Sequence, residues 1–115
     1  MRIEVKGRNL QVTDDMREVV ARRFEKVDKQ VSDLATLEVE LSEERNPSIA
    51  DSQVAEATLH LKGVTLRAHE ASPDMLHSIH EIAEDLRRQV KKHRDKRRKR
   101  TQTRRLMARL RRSPA

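Results

Sequence analysis

The sequence predicts an α+β fold in the order β-α-β-β-β-α, a four-stranded sheet with both helices packed on one face. Three observations lead to this prediction. Apolar residues alternate with polar ones in four short segments, recur every three or four residues in two longer segments, and leave each segment with one apolar side. Such segments bury that side most economically when both helices cover the same sheet face. A length of 115 residues suits one such domain.

The first strand and the first helix are predicted from the N-terminal third of the chain. Ile3 and Val5 alternate with polar neighbours across residues 2–6, and Gly7 to Asn9 is expected to turn the chain. Thr13 is a favourable N-cap, because two aspartates follow it at the positive end of the helix dipole. One amphipathic helix is then predicted from an apolar stripe with spacings of three and four: Met16, Val20, Phe24, Val27 and Val31.

Three further strands are predicted, and the turn between the last two sets their register. The second strand alternates Leu, Val and Leu with polar residues over 37–41, and a loop with Asn46-Pro47 follows over 43–53. The third and fourth strands flank Lys62-Gly63, which we interpret as a two-residue hairpin loop. That loop puts all apolar residues of both strands on one side, in the pairs Leu61 with Val64, Leu59 with Leu66 and Ala57 with Ala68. The other face then carries the polar pairs His60 with Thr65, Thr58 with Arg67 and Glu56 with His69.

The second helix is predicted to begin at Ser72-Pro73-Asp74, with Ser72 as the cap and Pro73 in the first helical position. It continues into residues 91–100, which are almost wholly basic. Few apolar residues follow Thr101, so we expect a folded domain over 1–97 and a basic tail over 98–115 that is disordered when free. The apolar stripe of this helix consists of Met75, Ile79, Ile82, Leu86 and Val90.

Charge is distributed very unevenly along the chain. Up to Leu86 there are 11 basic and 18 acidic residues, whereas the rest of the chain has 15 basic residues and one acid, Asp95. A segment this basic repels itself unless counter-ions or phosphates neutralise it. We therefore expect a polyanionic partner, nucleic acid before anionic lipid, with a merely solubilising tail as the alternative.

Composition argues against several other classes of function. Without cysteine there is no disulfide framework and no thiolate metal site. With two glycines there is no Gly-rich phosphate loop, and no serine sits in a nucleophile elbow, so we expect no enzyme, no cofactor and no small-molecule substrate. His77 and His80 lie near Glu81 and Glu84, but in neither zincin order, so no metal site is expected. No signal-peptide-like or membrane-spanning apolar run is present, which predicts a cytoplasmic protein without a membrane partner.

The basic residues of the two helices are the candidate nucleic-acid surface. The lone aromatic, Phe24, belongs to the core stripe, so we expect recognition of phosphates by Lys and Arg and not stacking on aromatic rings. If both helices cover one sheet face, their outward ridges merge into one basic surface. Its members are Arg22, Arg23, Lys26 and Lys29 on the first helix and Arg87, Arg88, Lys91, Lys92 and Arg94 on the second. For the first helix an ordinary solvated face is the alternative, because Glu18 and Glu25 share it.

Three segments are similar to those of a known family: GRNLQVTDDMREVVARRFEKVDK, ATLHLKGVTLRAHEASPDM and DMLHSIHEIAEDLRRQVKKHRDK. In this order they resemble the ribosome hibernation-promoting factor and ribosome-associated inhibitor family, over roughly residues 1 to 97. The resemblance implies a fold related in shape to double-stranded RNA-binding domains. It also implies binding to the small ribosomal subunit between head and body, over the messenger and transfer RNA sites. The positions that match the family's basic surface are Arg23, Lys26, Arg88, Lys92, His93, Arg94 and Lys96.

The sequence departs from the family in three respects. Family members often have aromatic residues where this chain has Leu76 and Gln30-Val31, and any stacking contact of those rings is lost. The long family form carries a C-terminal dimerisation domain, and we expect this chain to be the short form without it. The tail over 98–115 and the preceding Arg97 are unusually basic, and we expect them to lie along ribosomal RNA.

The sequence thus predicts a non-enzymatic ribosome hibernation factor. It would bind the small subunit, its ribosomal RNA and the whole ribosome, block translation by steric exclusion, and be a monomer when free. A general RNA-binding or architectural protein that uses the basic tail is the alternative. A module that binds protein through its sheet edge or its acidic face is a third reading.

Overall fold

The structure, a computed structural model, describes residues 1–46 and 48–112. In this part of the chain the element order is β1 (Arg2–Arg8), α1 (Asp14–Arg23), α2 (Glu25–Gln30), β2 (Thr36–Glu43), β3 (Gln53–Leu61), β4 (Val64–Ser72) and α3 (Met75–Arg112). The strands form one sheet in the order β1-β2-β3-β4, with β1 parallel to β2 and the other pairs antiparallel. The helices cover one face of this sheet, which confirms the predicted α+β fold.

The β3–β4 hairpin has the register that the sequence predicts. Leu61 pairs with Val64 across the turn, and the pairs continue as predicted on both faces of the sheet. Gly63 has a φ of 79°, in the left-handed region that residues with a Cβ rarely adopt, so glycine is the suitable residue for this turn. The two-residue loop therefore places the apolar sides of both strands under the helices.

The hydrophobic core lies between the sheet and the helices. Its largest fully buried side chains come from every layer: Phe24, Val20 and Val27 from the first helical segment, Leu37, Val39, Leu41 and Leu59 from the strands, and Ile79, Ile82 and Leu86 from α3. Ser78 is also fully buried, and its hydroxyl donates to the carbonyl of Gln53 at 2.7 Å. This hydrogen bond ties α3 to β3 and satisfies a polar group that would otherwise be costly to bury.

The first helical segment differs from the single helix that was predicted. Thr13 caps α1 as expected, because its hydroxyl accepts a hydrogen bond from the Met16 amide at 3.2 Å. The helix ends at Phe24, whose φ and ψ of −95° and 7° interrupt it before α2 begins. Phe24 and Val27 are both buried. These two residues of the apolar stripe therefore stay buried although the helix divides in two.

The start of α3 also differs from the prediction, in that Asp74 and not Ser72 caps it. The Asp74 carboxylate accepts from the Leu76 amide at 3.2 Å, and its carbonyl accepts from the Ser78 amide at 3.0 Å. Ser72 is the last residue of β4, and its buried hydroxyl bonds with that of Ser78 at 2.7 Å. Ser72 therefore belongs to the sheet, and α3 begins at Met75, directly after its cap.

The first strand is longer than predicted. Because β1 runs to Arg8, Gly7 is a strand residue and not part of the turn expected at residues 7–9.

Helix α3 continues far beyond the core. It runs unbroken through residues 98–112, and this extension gives the described part of the chain dimensions of 72 × 28 × 18 Å. The boundary expected at residue 97 does not coincide with a helix end. Disorder of residues 98–115 in the free protein stays a prediction, and Ser113–Ala115, like Pro47 of the predicted loop, lie outside the described residues.

Candidate nucleic-acid interface

The side of α3 that faces solvent forms the outer basic face. Its side chains line a shallow depression, and Asp95 is the one acidic residue among them. Within residues 1–46 and 48–112, none of its cations forms an ion pair with a carboxylate. Five exposed charges are therefore free to meet an anionic partner. The outer basic face consists of Arg88, Lys91, Lys92, Lys96 and Lys99.

A second group of basic residues on α3 lies on another side of the helix. His93, Arg94 and Arg97 follow the buried Val90 by three, four and seven residues, so they continue the core stripe past the end of the core. All three are half-buried or exposed, and they line a groove of about 570 Å³ at the end of the sheet. We call this the terminal groove. The predicted basic residues of α3 therefore divide between two faces.

Two of the predicted site residues are occupied by neighbouring carboxylates. Arg22 donates to Glu18 at 2.7 Å, and Arg87 donates to Glu84 at 3.0 Å and 3.3 Å from two of its nitrogens. Both pairs are spaced for contact on one helix face, at four and three residues. Arg22 and Arg87 thus have part of their charge compensated. Exposed pairs of this kind are weak, so a phosphate can compete for either guanidinium.

The basic residues of the two helical layers meet around Glu84. The hydrogen bond from Arg87 holds the pKa of Glu84 below its ordinary value, and the charges of Arg87, His80 and Lys26 act in the same direction. Lys26 of α2 is therefore near enough to Glu84 for its charge to act on that carboxylate, and α2 packs against α3. Arg23 and Lys29 are exposed, and neither forms an ion pair in the described part of the chain. A single basic surface across both helical layers stays a prediction, and Glu84 lies within it.

The open face of the sheet has a different character. It carries Arg8 beside Glu40 at 3.7 Å, so charges of both signs occur there, and His60 and His69 lie 3.4 Å and 3.5 Å from Glu38 and Glu56. Within the described ranges, no group of three or more histidine, aspartate or glutamate side chains could hold a metal ion. No helix in those ranges is long and apolar enough to span a membrane. Positive charge is therefore concentrated on the helices and not on the open face of the sheet.

Residues 98–112 extend the basic surface without packing on the core. All side chains described in this stretch are exposed, including the large apolar ones of Leu106, Met107 and Leu110. The extension is therefore a basic helix with a short apolar strip.

Sequence reasoning did not identify two contributors to these surfaces. Lys62, predicted only as a turn residue, lines the terminal groove together with Arg94 and Arg97. Gln30 lines the same groove from the end of α2. More than 25 residues separate each of them from the α3 residues they approach. No local spacing pattern could have indicated these neighbours.

Comparison with known proteins identifies the family. The family model described as "Sigma 54 modulation protein / S30EA ribosomal protein" matches residues 3–98. The chain belongs to this family. The match covers nearly all of the sheet, the helices up to residue 98 and all predicted site residues. Together with the names of the curated relatives, it supports a ribosome-associated role in hibernation for this S30EA family member.

Curated relatives in the S30EA family are named as ribosome hibernation factors. The "Ribosome hibernation promotion factor" of a Picosynechococcus species is 32% identical over 97 residues, covering 84% of this chain and 50% of the relative. The "Ribosome hibernation promoting factor" of Escherichia coli K12 is 30% identical over 96 residues, covering 84% of this chain and 96% of the relative. The chain thus spans half of one relative and nearly all of the other.

Solved structures agree with the architecture. The N-terminal domain of Thermus thermophilus Protein Y superposes with a TM-score of 0.69 at 29% identity, covering 81% of this chain and 99% of that one. A ribosomal subunit interface protein from Coxiella burnetii gives the same TM-score at 17% identity, covering 83% and 99%. The second similarity supports the fold alone.

Proposed function

We propose that this protein is a ribosome hibernation factor that binds the small ribosomal subunit at the decoding region. There it excludes messenger and transfer RNA sterically, so an idle ribosome cannot translate. The folded domain supplies the shape, and the basic surface supplies most of the affinity. Its partners are the small subunit with its ribosomal RNA and the whole ribosome, and the free protein is a cytoplasmic monomer.

The outer basic face is the observation that best supports this proposal. Its five cations are exposed and unpaired within the described residues, so they can neutralise phosphates without first breaking an internal ion pair. Arg23, Lys26 and Lys29 add charge from the neighbouring helical layer. With about ten phosphate contacts, the log-log dependence of affinity on salt has a slope on the order of −7 to −9.

The helical extension favours a second candidate function. Residues 98–112 are basic and exposed, and a general RNA-binding protein could use such a helix on any RNA. The two functions differ in their competitors. A decoding-region binder is displaced by messenger and transfer RNA together, whereas a general binder is displaced by any polyanion.

Co-sedimentation tests the proposal directly. The purified protein is pelleted with small subunits, large subunits and whole ribosomes at near-physiological salt, with and without messenger and initiator transfer RNA. We expect one protein per small subunit and per whole ribosome, lost when both RNAs are added. Binding in excess of one to every particle would instead establish the general RNA binder. Binding that survives the two RNAs would overturn the decoding-region assignment.

A further inference from the structure

The terminal groove has the composition of a ligand site. It lies where the end of α2, the start of β2 and the β3–β4 turn meet the last part of α3 that still contacts the domain. Its volume of about 570 Å³ is within the range of about 300 to 1,000 Å³ that is usual for small-ligand pockets. Apolar side chains, among them Val31, Leu61 and Val90, line it. A flat organic group therefore fits its chemistry better than a hydrated ion does.

Two buried polar atoms of the groove residues have no hydrogen-bond partner. They are Oε1 of Gln30, an acceptor, and Nε of Arg94, a donor. Leaving such groups unpaired costs roughly 1 to 3 kcal/mol each, so unpaired buried atoms are uncommon in folded proteins. Both residues line the same groove. Both atoms have almost no exposed surface, so a ligand that presents a donor and an acceptor reaches them only when the two side chains turn into the groove.

The charge around the groove is wholly positive. Lys62, Arg94 and Arg97 line it, and no acidic side chain does. An anionic ligand is therefore favoured, while the basic helical extension of a second copy would be repelled. Arg97 also stands where α3 leaves the domain, since the side chains described from Lys96 onward are exposed. A phosphate backbone that follows the extension passes the mouth of the groove.

We propose that the terminal groove binds one unstacked base of a single-stranded RNA, with the flanking phosphates on Lys62 and Arg97. The base rests on the apolar lining, and its hydrogen-bonding edge accepts from Arg94 Nε and donates to Gln30 Oε1 once these side chains turn into the groove. Unstacked bases are commonly recognised by hydrogen bonds to the base edge. The site needs no aromatic ring. This inference rests on the proposed function, because it adds contact with a base of ribosomal RNA to the phosphate contacts of the basic surface.

A filling substitution tests the groove. Leu61→Trp adds bulk to its lining at a strand position that tolerates aromatic residues. The probe is a short single-stranded RNA, compared with the same RNA lacking one base, and binding is measured by fluorescence anisotropy. We expect Leu61→Trp to weaken binding of the intact RNA by about 5- to 100-fold, as expected for losing one base held by a pair of hydrogen bonds, with an unchanged salt slope. The RNA with the missing base should bind both proteins equally.

Leu76→Trp is the matched control. Leu76 is exposed at the start of α3, away from the groove, so the same substitution there should leave binding of both RNAs unchanged. Equal affinity of the wild type and Leu61→Trp for the intact RNA would overturn the proposal. An equal loss for both RNAs would do so as well, since it would reflect a phosphate effect.

A measurement on the wild-type protein covers the case in which Leu61→Trp does not fold. Methyl resonances of Val31, Leu61 and Val90 should shift when the intact RNA is added and stay in place with the RNA that lacks a base. Absence of that difference refutes base insertion. Pelleting of the wild type with small subunits is recorded in parallel. Intact pelleting without base discrimination rejects the groove alone, whereas discrimination without pelleting rejects the hibernation proposal alone.

Discussion

Removing two charges from the outer basic face should weaken ribosome binding without affecting the fold. Arg88 and Lys92 are one helical turn apart, exposed, and unpaired in the described part of the chain. Each phosphate contact contributes about 0.7 to 0.9 to the log-log salt slope. The double substitution Arg88→Gln with Lys92→Gln should therefore reduce the slope by about 1.4 to 1.8. Extrapolated from 1 M to 0.15 M salt, this is a loss of about 15- to 30-fold in affinity.

Charge reversal at the same two positions should have about twice that effect on a logarithmic scale. Arg88→Glu with Lys92→Glu then weakens binding on the order of several hundredfold, which abolishes pelleting at ordinary concentrations. Affinity is measured by co-sedimentation with small subunits over a series of salt concentrations. Thermal unfolding of the free variant is recorded beside it, and we expect an unchanged Tm, because neither side chain packs in the core.

The matched control makes the same change in net charge on the opposite side of the molecule. Lys6 and Arg67 are exposed on the open face of the sheet, so Lys6→Glu with Arg67→Glu should retain most of the binding. Normal pelleting of the Arg88 and Lys92 reversal variant would refute the site assignment. Equal losses in both double variants would show that net charge alone, and not the outer basic face, determines affinity.

Three further outcomes are expected. Deleting residues 101–115 removes five arginines, so binding to small subunits should weaken, and the log-log salt slope should fall in magnitude by up to about 3.5 to 4.5. The Tm should not change. Complete loss of pelleting would locate the function in the tail. Because the folded-state pKa of Glu84 lies below its ordinary value of 4.5, its pairing with Arg87 stabilises the fold above that pH, and this contribution is lost as the pH falls through the lowered pKa. Urea unfolding from neutral pH to about pH 3 should show a smaller acid dependence in Glu84→Gln than in the wild type, and identical curves would contradict the pairing. Phe24→Ala should lower the unfolding free energy by about 3 to 5 kcal/mol in chemical denaturation, because the ring is fully buried; a loss below about 1 kcal/mol would mean that Phe24 does not anchor the core.

The hairpin and the two helical layers could be predicted from local pattern. Lys62-Gly63 set the pairing of β3 with β4, because a two-residue loop permits only one register that buries every apolar side chain. Thr13 was identified as a cap for a similar reason, since a cap acts on amides only a few residues away. Both features depend on residues that are only a few positions apart, so they can be predicted from the local sequence.

The break at Phe24 and the cap at Asp74 were not predictable in the same way. A continuous stripe from Met16 to Val31 fits one helix as well as two, so the spacing alone does not show that the helix is interrupted at Phe24. Ser72 is a good cap by composition, but its place in β4 commits its hydroxyl to Ser78. At Ser72 a tertiary contact outweighs a local preference.

The sequence by itself determined which residues are basic, that the charge concentrates after Leu86, and that phosphate recognition is the chemistry available. It also determined the α+β architecture, because period and loop length are local properties. Only the tertiary structure decided which residues from outside α3 line the terminal groove with Arg94 and Arg97. That set depends on which distant parts of the chain pack beside α3. Lys62 of the β3–β4 turn and Gln30 of α2 line the same groove as Arg94 because the fold brings these elements together, not because of any spacing along the chain.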